Sequence, residues 1–135
     1  LGEVQKVNVD GLFRMPSTSH ALMAGGTVNV SGLLGTVGAG LDLADGGVGG
    51  QTTQALRNLE RVLAACGCGL ADLVKVNVYL TDPAGFLEMD QAYAAVLGEH
   101  DSAPARIGVY CPQLPLGAAV ELDATAWLGD RPEPG

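Results

Sequence analysis

Leu73-Val-Lys-Val-Asn-Val-Tyr-Leu80, followed at once by Thr81-Asp82-Pro83, is the stretch that decides the fold of this 135-residue chain. Val74, Val76, Val78 and Leu80 alternate along it and share one face, as a half-buried strand requires. Asp82 then supplies a helix N-cap and Pro83 sits at the first helical position, where its missing N–H costs nothing. The helix runs to about Leu97 and buries Phe86, Met89, Ala92, Tyr93 and Val96. Just upstream, residues 51–66 form another helix, with Ala55, Leu56, Leu59, Val62, Leu63 and Cys66 recurring at three- and four-residue steps. Gly67 is placed to stop it.

Outward from this helix–strand–helix block, the ends of the chain read as strands. Residues 4–9 alternate loosely up to the turn signal Asp10-Gly11, and residues 20–24 and 27–31 flank Gly25-Gly26 as a hairpin. Residues 106–111 and 118–128 close the chain, the latter with Val120 and Leu122 alternating with Glu121 and Asp123. Between 32 and 50, 8 of 19 residues are glycine. Gly35-Thr-Val-Gly38-Ala-Gly40 lacks the Lys-Ser/Thr of a phosphate loop, so this segment reads as a flexible hairpin or surface loop. The order is β-β-β-α-β-α-β-β in one domain over residues 1–135, with a Pro-rich tail at 129–135. Two one-faced helices favour an α+β sheet with both helices on one side. The other face then needs cover, which points to association.

Composition narrows the function. Apolar residues make up 47% but aromatics only 4%, so the core is aliphatic, built from Leu, Ala and Val. Charged residues are 16%, low for a monomer's surface. The net charge of −8 and the absence of Lys/Arg clusters argue against nucleic acid. Residues 15–41 carry no Asp, Glu, Lys or Arg, yet glycines and hydroxyl residues interrupt them too often for the ~20 apolar residues of a membrane span. No signal peptide pattern opens the sequence, and the expected location is cytoplasmic. Cys66, Cys68 and Cys111 form no CxxC, and His20 and His100 have no ligand-like spacing, so no metal is expected.

Of five arginines and two lysines, one differs from the rest. Arg57 and Arg61 lie on the polar side of the first helix, Arg131 lies in the tail, Lys6 and Arg14 flank a turn, and Lys75 alternates with apolar neighbours. Arg106 opens an apolar strand after Ala103-Pro104-Ala105 with no acid within four positions. A guanidinium held that way suits bidentate capture of a carboxylate. An ion pair with an acid from elsewhere in the fold is the competing reading. Glu121, expected on the strand beside it with Asp123 on the same face, could orient or deprotonate a water. A solvent-facing carboxylate on a half-exposed strand explains the same pattern.

Several segments occur together in order: Val30-Ser31-Gly32, Gln51-Thr-Thr-Gln-Ala-Leu-Arg-Asn-Leu59, Val74-Lys-Val-Asn-Val-Tyr-Leu-Thr-Asp82, Ala103-Pro-Ala-Arg-Ile-Gly-Val109, Leu114-Pro115 and Val120-Glu121-Leu122. Over about residues 4–128 the chain resembles the Rid family of reactive intermediate deaminases, also called the YjgF family. The resemblance implies a chorismate-mutase-like subunit that forms a homotrimer with sites between subunits. It implies hydrolysis of amino-acid-derived imines and enamines, such as 2-aminoacrylate, to 2-oxo acids and ammonia, with no metal or cofactor. It also implies a carboxylate-binding role for Arg106, a water-associated role for Glu121 and a site-lining role for Gly32.

The family pattern is not kept throughout. A tyrosine of that family is Thr18 here, a cysteine near the arginine is Gly108, and an asparagine of the second helix is Asp90; Ile107, Pro112 and Gln113 are also unusual. Smaller groups at Thr18 and Gly108 should widen or reshape the substrate pocket, so a larger imine stands beside 2-aminoacrylate as a candidate substrate. A non-catalytic trimer that binds a carboxylate metabolite is the alternative function. Some members of that family are described as ribonucleases, a role the acidic charge disfavours.

Overall fold

A computed structural model describes residues 3–98 and 103–129. His100, Arg131 and all but the first residue of the tail lie outside the described residues. The elements are β1 (Gln5–Val7), β2 (Ala21–Ala24), β3 (Thr27–Leu34), α1 (Gly47–Ala65), β4 (Leu73–Leu80), α2 (Phe86–Leu97), β5 (Ala105–Tyr110) and β6 (Val120–Trp127). They form one six-stranded sheet in the order β1-β2-β3-β6-β4-β5. Only β4 and β5 run parallel, joined through α2; every other pair is antiparallel. A parallel pair needs such a crossover, and Asp82 starts it: its carboxylate accepts the Ala84 N–H at 2.9 Å, one turn before α2.

Both helices pack on one face, as the one-sided apolar stripes require. Leu56, Leu59 and Leu63 of α1 and Met89 and Val96 of α2 share a core with Met23, Val28, Val76, Val78, Val120 and Leu122 of the sheet. The opposite face carries Leu22, Lys75, Asn77, Tyr79, Glu121, Asp123, Ile107, Val109 and Trp127, and among the described residues no element lies over it. Four of its large apolar side chains are exposed: Leu22, Ile107, Val109 and Trp127. Among the described residues no helix is long and apolar enough to cross a membrane.

Three expectations need correction. First, Glu121 is not on the strand next to Arg106, because β4 lies between β6 and β5. Second, Val74 is exposed; a register shift between Leu73 and Lys75 gives its place in the core to Leu73. Third, only the middle of the glycine-rich segment is the hairpin expected of it. β3 continues through a bulge to Leu34, and a short hairpin bridges Thr36 to Leu43. α1 then begins at Gly47 rather than Gln51. A β-carbon at Gly50 would stand 1.9 Å from the Asp45 carbonyl oxygen, so only glycine lets the first helical turn fold back there. Glu88 of α2 accepts the Gly49 N–H at 2.8 Å, placing an acid at the positive end of α1.

Candidate active site

The bulge in β3 prepares one half of the site. Between Val30 and Leu33 the register with β6 shifts, leaving Gly32 exposed beside Glu121. A β-carbon at Gly32 would lie 2.7 Å from Glu121 Oε2, so the carboxylate occupies the space that a side chain would fill. Glu121 is half-buried and has no hydrogen-bond partner among the described residues. Burial pushes its carboxyl above the ordinary value, and the charge of neighbouring Asp123 pushes it further. Asp123 is fixed by the Asn77 amide at 2.7 Å and the Tyr79 hydroxyl at 2.9 Å, both donating. That bond raises the Tyr79 hydroxyl in turn.

Around Glu121 lies a cavity of about 450 Å³, walled by the loop at 12–20, by β3 and by the turn at 115–117. Thr18 and Gly32 line it with Glu121. Buried His20 anchors the loop. Its Nδ1 accepts the Val9 N–H at 2.9 Å; a backbone amide can only donate, so Nε2 carries the proton and donates to the Phe13 carbonyl at 2.9 Å. Arg14 Nη1 closes the loop on the Thr18 carbonyl at 2.7 Å. Asn58 of α1, buried beside the apolar stripe of that helix, donates to the carbonyls of Leu34 and Thr36 at 3.0 Å each and fixes the end of β3.

The second half is on the far edge. Arg106 pairs in register with core residue Val76, so it projects from the helix-covered face. Its guanidinium stacks 4.7 Å from the centroid of the Tyr93 ring and 5.6 Å from that of Phe86. Nη1 donates to Asp90 Oδ1 at 2.7 Å. An acid from elsewhere in the fold does therefore meet Arg106, sixteen positions upstream, as the ion-pair reading required. One bond leaves the other donors of the fork unassigned. Gly108, two positions on, faces Phe86, and an added β-carbon would touch that ring at an ordinary 3.6 Å. The structure thus gathers Thr18, Gly32 and Glu121 in one place and Arg106 and Gly108 in another.

A profile of the family described as Endoribonuclease L-PSP matches residues 15–128. The chain belongs to that family, the YjgF/Rid family. A RutC family protein of Pyrococcus horikoshii is 35% identical over 81% of this chain and 85% of its own length. The 2-iminobutanoate/2-iminopropanoate deaminase of Bos taurus is 35% identical over 82% of this chain and 80% of its own length. Among solved structures, RidA from an Antarctic Psychrobacter superposes with a TM-score of 0.84 at 31% identity, covering 91% of this chain and 98% of that one.

Within this YjgF/Rid member, Asn58, His20 and Asp90 shape the site in ways that the sequence does not disclose. Asn58 was legible in principle as a lone amide on a buried helix arc. His20 is visible in the sequence, but nothing local marks it as the anchor of the 12–20 loop. Asp90 stood out as a departure on α2, but the α2-to-β5 contact that pairs it with Arg106 is tertiary. The three cysteines are free; Cys66 is in the core, where burial pushes its thiol up.

Proposed function

We propose that the chain hydrolyses amino-acid-derived imines and enamines in sites shared between copies in a homotrimer. One copy would supply Glu121 with Gly32 and Thr18, and another would supply Arg106 with Gly108. The observation that carries this reading is the split: a carboxylate half-site opens beside the uncovered sheet face, while the guanidinium sits on the opposite face at the far edge. Exposed Leu22, Ile107, Val109 and Trp127 give that uncovered face a reason to associate. Deaminase-named relatives at 32–35% identity supply the reaction class.

The chemistry asks little of the protein. Arg106 of one copy holds the substrate carboxylate, which places the imine carbon near Glu121 of the other. Glu121 takes a proton from water as the water oxygen adds to the C=N carbon, and returns it to the nitrogen, which becomes the amine of a carbinolamine. Glu121 then takes the proton of the new hydroxyl and passes it to that nitrogen. The C–N bond breaks as the C=O bond of the 2-oxo acid forms, and ammonia leaves carrying both of the water's protons. An enamine first takes a proton at carbon to become the imine. No electron changes hands, so water is the only co-reactant. A carboxylate lifted above its ordinary range is the better base, and a positioned water does the rest.

Mixing tests the reading. Arg106→Ala and Glu121→Gln should each lose imine hydrolysis alone. Co-refolded in equal amounts, they should recover about a quarter of the wild-type sites, since a ring site is intact when each neighbour supplies its unmutated half. Activity retained in Arg106→Ala, or no recovery on mixing, would sink the shared site. Tight binding of 2-oxo acids without turnover of any imine would favour the carboxylate-binding alternative.

A further inference from the structure

Within one copy, before a neighbour closes over it, the cavity at Glu121 is roomy, and its lining is more apolar than a three- or four-carbon imine calls for. Its volume of about 450 Å³ corresponds to roughly fifteen waters at ~30 Å³ each. Leu12, Phe13, Met15, Leu33, Leu34 and Leu116 line it. Arg14 also reaches it, but its guanidinium is engaged in holding the loop through the Thr18 carbonyl.

Leu116 is the informative wall. Its φ of 62° and ψ of 16° are left-handed, and it is the only non-glycine residue with positive φ among the described residues. It sits in a turn closed by the Gly117 N–H on the Leu114 carbonyl and the Ala118 N–H on the Pro115 carbonyl, and Gly117 is left-handed too. A glycine or asparagine would take this conformation without the steric cost that a leucine's β-carbon meets. A turn on the surface has no folding need for a leucine there, and this one stays 45% exposed while facing the cavity.

We infer that this cavity receives the substrate's side chain, and that the preferred substrates are imines of amino acids with branched aliphatic or aromatic side chains. The inference rests on the deaminase reading and names its substrate class. The carboxylate goes to Arg106, the reacting carbon to Glu121, and the hydrocarbon to the space between the 12–20 loop and Leu116. Burying added methylenes there strengthens binding, and small imines leave that contact unmade.

The experiment generates imines in place with an amino-acid oxidase acting on alanine, leucine or phenylalanine, and follows 2-oxo acid release above the spontaneous rate. The full chain should show kcat/KM for the leucine- and phenylalanine-derived imines at least about tenfold above that for the alanine-derived one. In Leu116→Gly and Leu116→Asn, both compatible with the backbone, this ratio should fall toward one. Equal or higher kcat/KM for the small imine overturns the assignment, as does a ratio unchanged in both variants. Calorimetry with 4-methyl-2-oxopentanoate and pyruvate separates the two claims. Tighter binding of the branched acid without any turnover keeps the pocket assignment and removes the deaminase reading. No turnover and no preference removes both.

Discussion

Arg106 and Glu121 project from opposite faces of one sheet, with β4 between their strands. Parity along β5 and β6 sets this: Arg106 pairs with core Val76, whereas Glu121 pairs with Tyr79 of the uncovered face. No rotamer change within one chain brings a carboxylate bound at Arg106 to Glu121. Either the two residues serve separate purposes or copies meet so that one completes the other.

Gly32→Ala tests how Glu121 is placed. The new β-carbon would stand 2.7 Å from Oε2, the mobile end of a side chain, so the carboxylate swings away and the fold is spared. Stability should stay within about 1 kcal/mol of wild type. A displaced base should cost about 10²-fold in kcat, on the scale of a 1 Å misplacement. Urea melts beside steady-state rates check both, and unchanged kcat would show that Glu121 tolerates the move.

Glu121→Gln separates function from stability. Burial and Asp123 raise the carboxyl's pKa, so the folded chain holds that proton more tightly than the unfolded chain does. The stability this contributes is complete below the unfolded pKa and is lost as pH rises through the raised folded one. Glutamine does not ionise. The variant should therefore melt higher than wild type at pH 7, the gap closing once pH drops below the ordinary carboxylate range. Loss of hydrolysis should be about 10²–10⁴-fold at every pH. Thermal melts across pH 3–8 decide; a gap that widens on acidification would contradict the sign.

Patterning made the element order readable because both periods are local. The stripe from Ala55 to Cys66 and the alternation from Val76 to Leu80 are each set by which side of one element is wet. Asp82-Pro83 marks the start of a helix because capping is local too. Strand neighbours were not readable in this way: placing β6 between β3 and β4 depends on long-range pairing, so the adjacency of Glu121 and Arg106 was misjudged. The bulge at Gly32 and the early start of α1 at Gly47 were missed for a different reason. Glycine density signals backbone freedom, and the same signal precedes a loose loop, a bulge or a tight helical entry. The chemistry at Arg106 and Glu121 was legible mainly through resemblance, since a lone arginine and a strand glutamate each fit a bland role.

Asn58→Ala should be the costliest single change at the end of β3. Two carbonyls, Leu34 and Thr36, lose their donor in a buried setting, and Gln54 loses an acceptor at 2.9 Å. Each unsatisfied buried group costs about 1–3 kcal/mol, so a loss of about 2–4 kcal/mol is expected. Chemical denaturation measures it. A loss below about 1 kcal/mol would mean that water replaces the amide.

Asp90 sets how strongly Arg106 draws a substrate carboxylate. Its oxygen lies 2.7 Å from Nη1 and offsets the guanidinium's charge, while the rings of Tyr93 and Phe86 hold the plane. Asparagine keeps an acceptor at that position and removes the charge; alanine removes both. Asp90→Asn should therefore lower KM about two- to fivefold, the scale of a partly exposed ion pair, with kcat changed less. Asp90→Ala frees the charge but loosens the fork, so its KM should lie above that of Asp90→Asn. The ordering is the readout: KM rising in Asp90→Asn would show that the charge itself, and not the acceptor, keeps Arg106 in place.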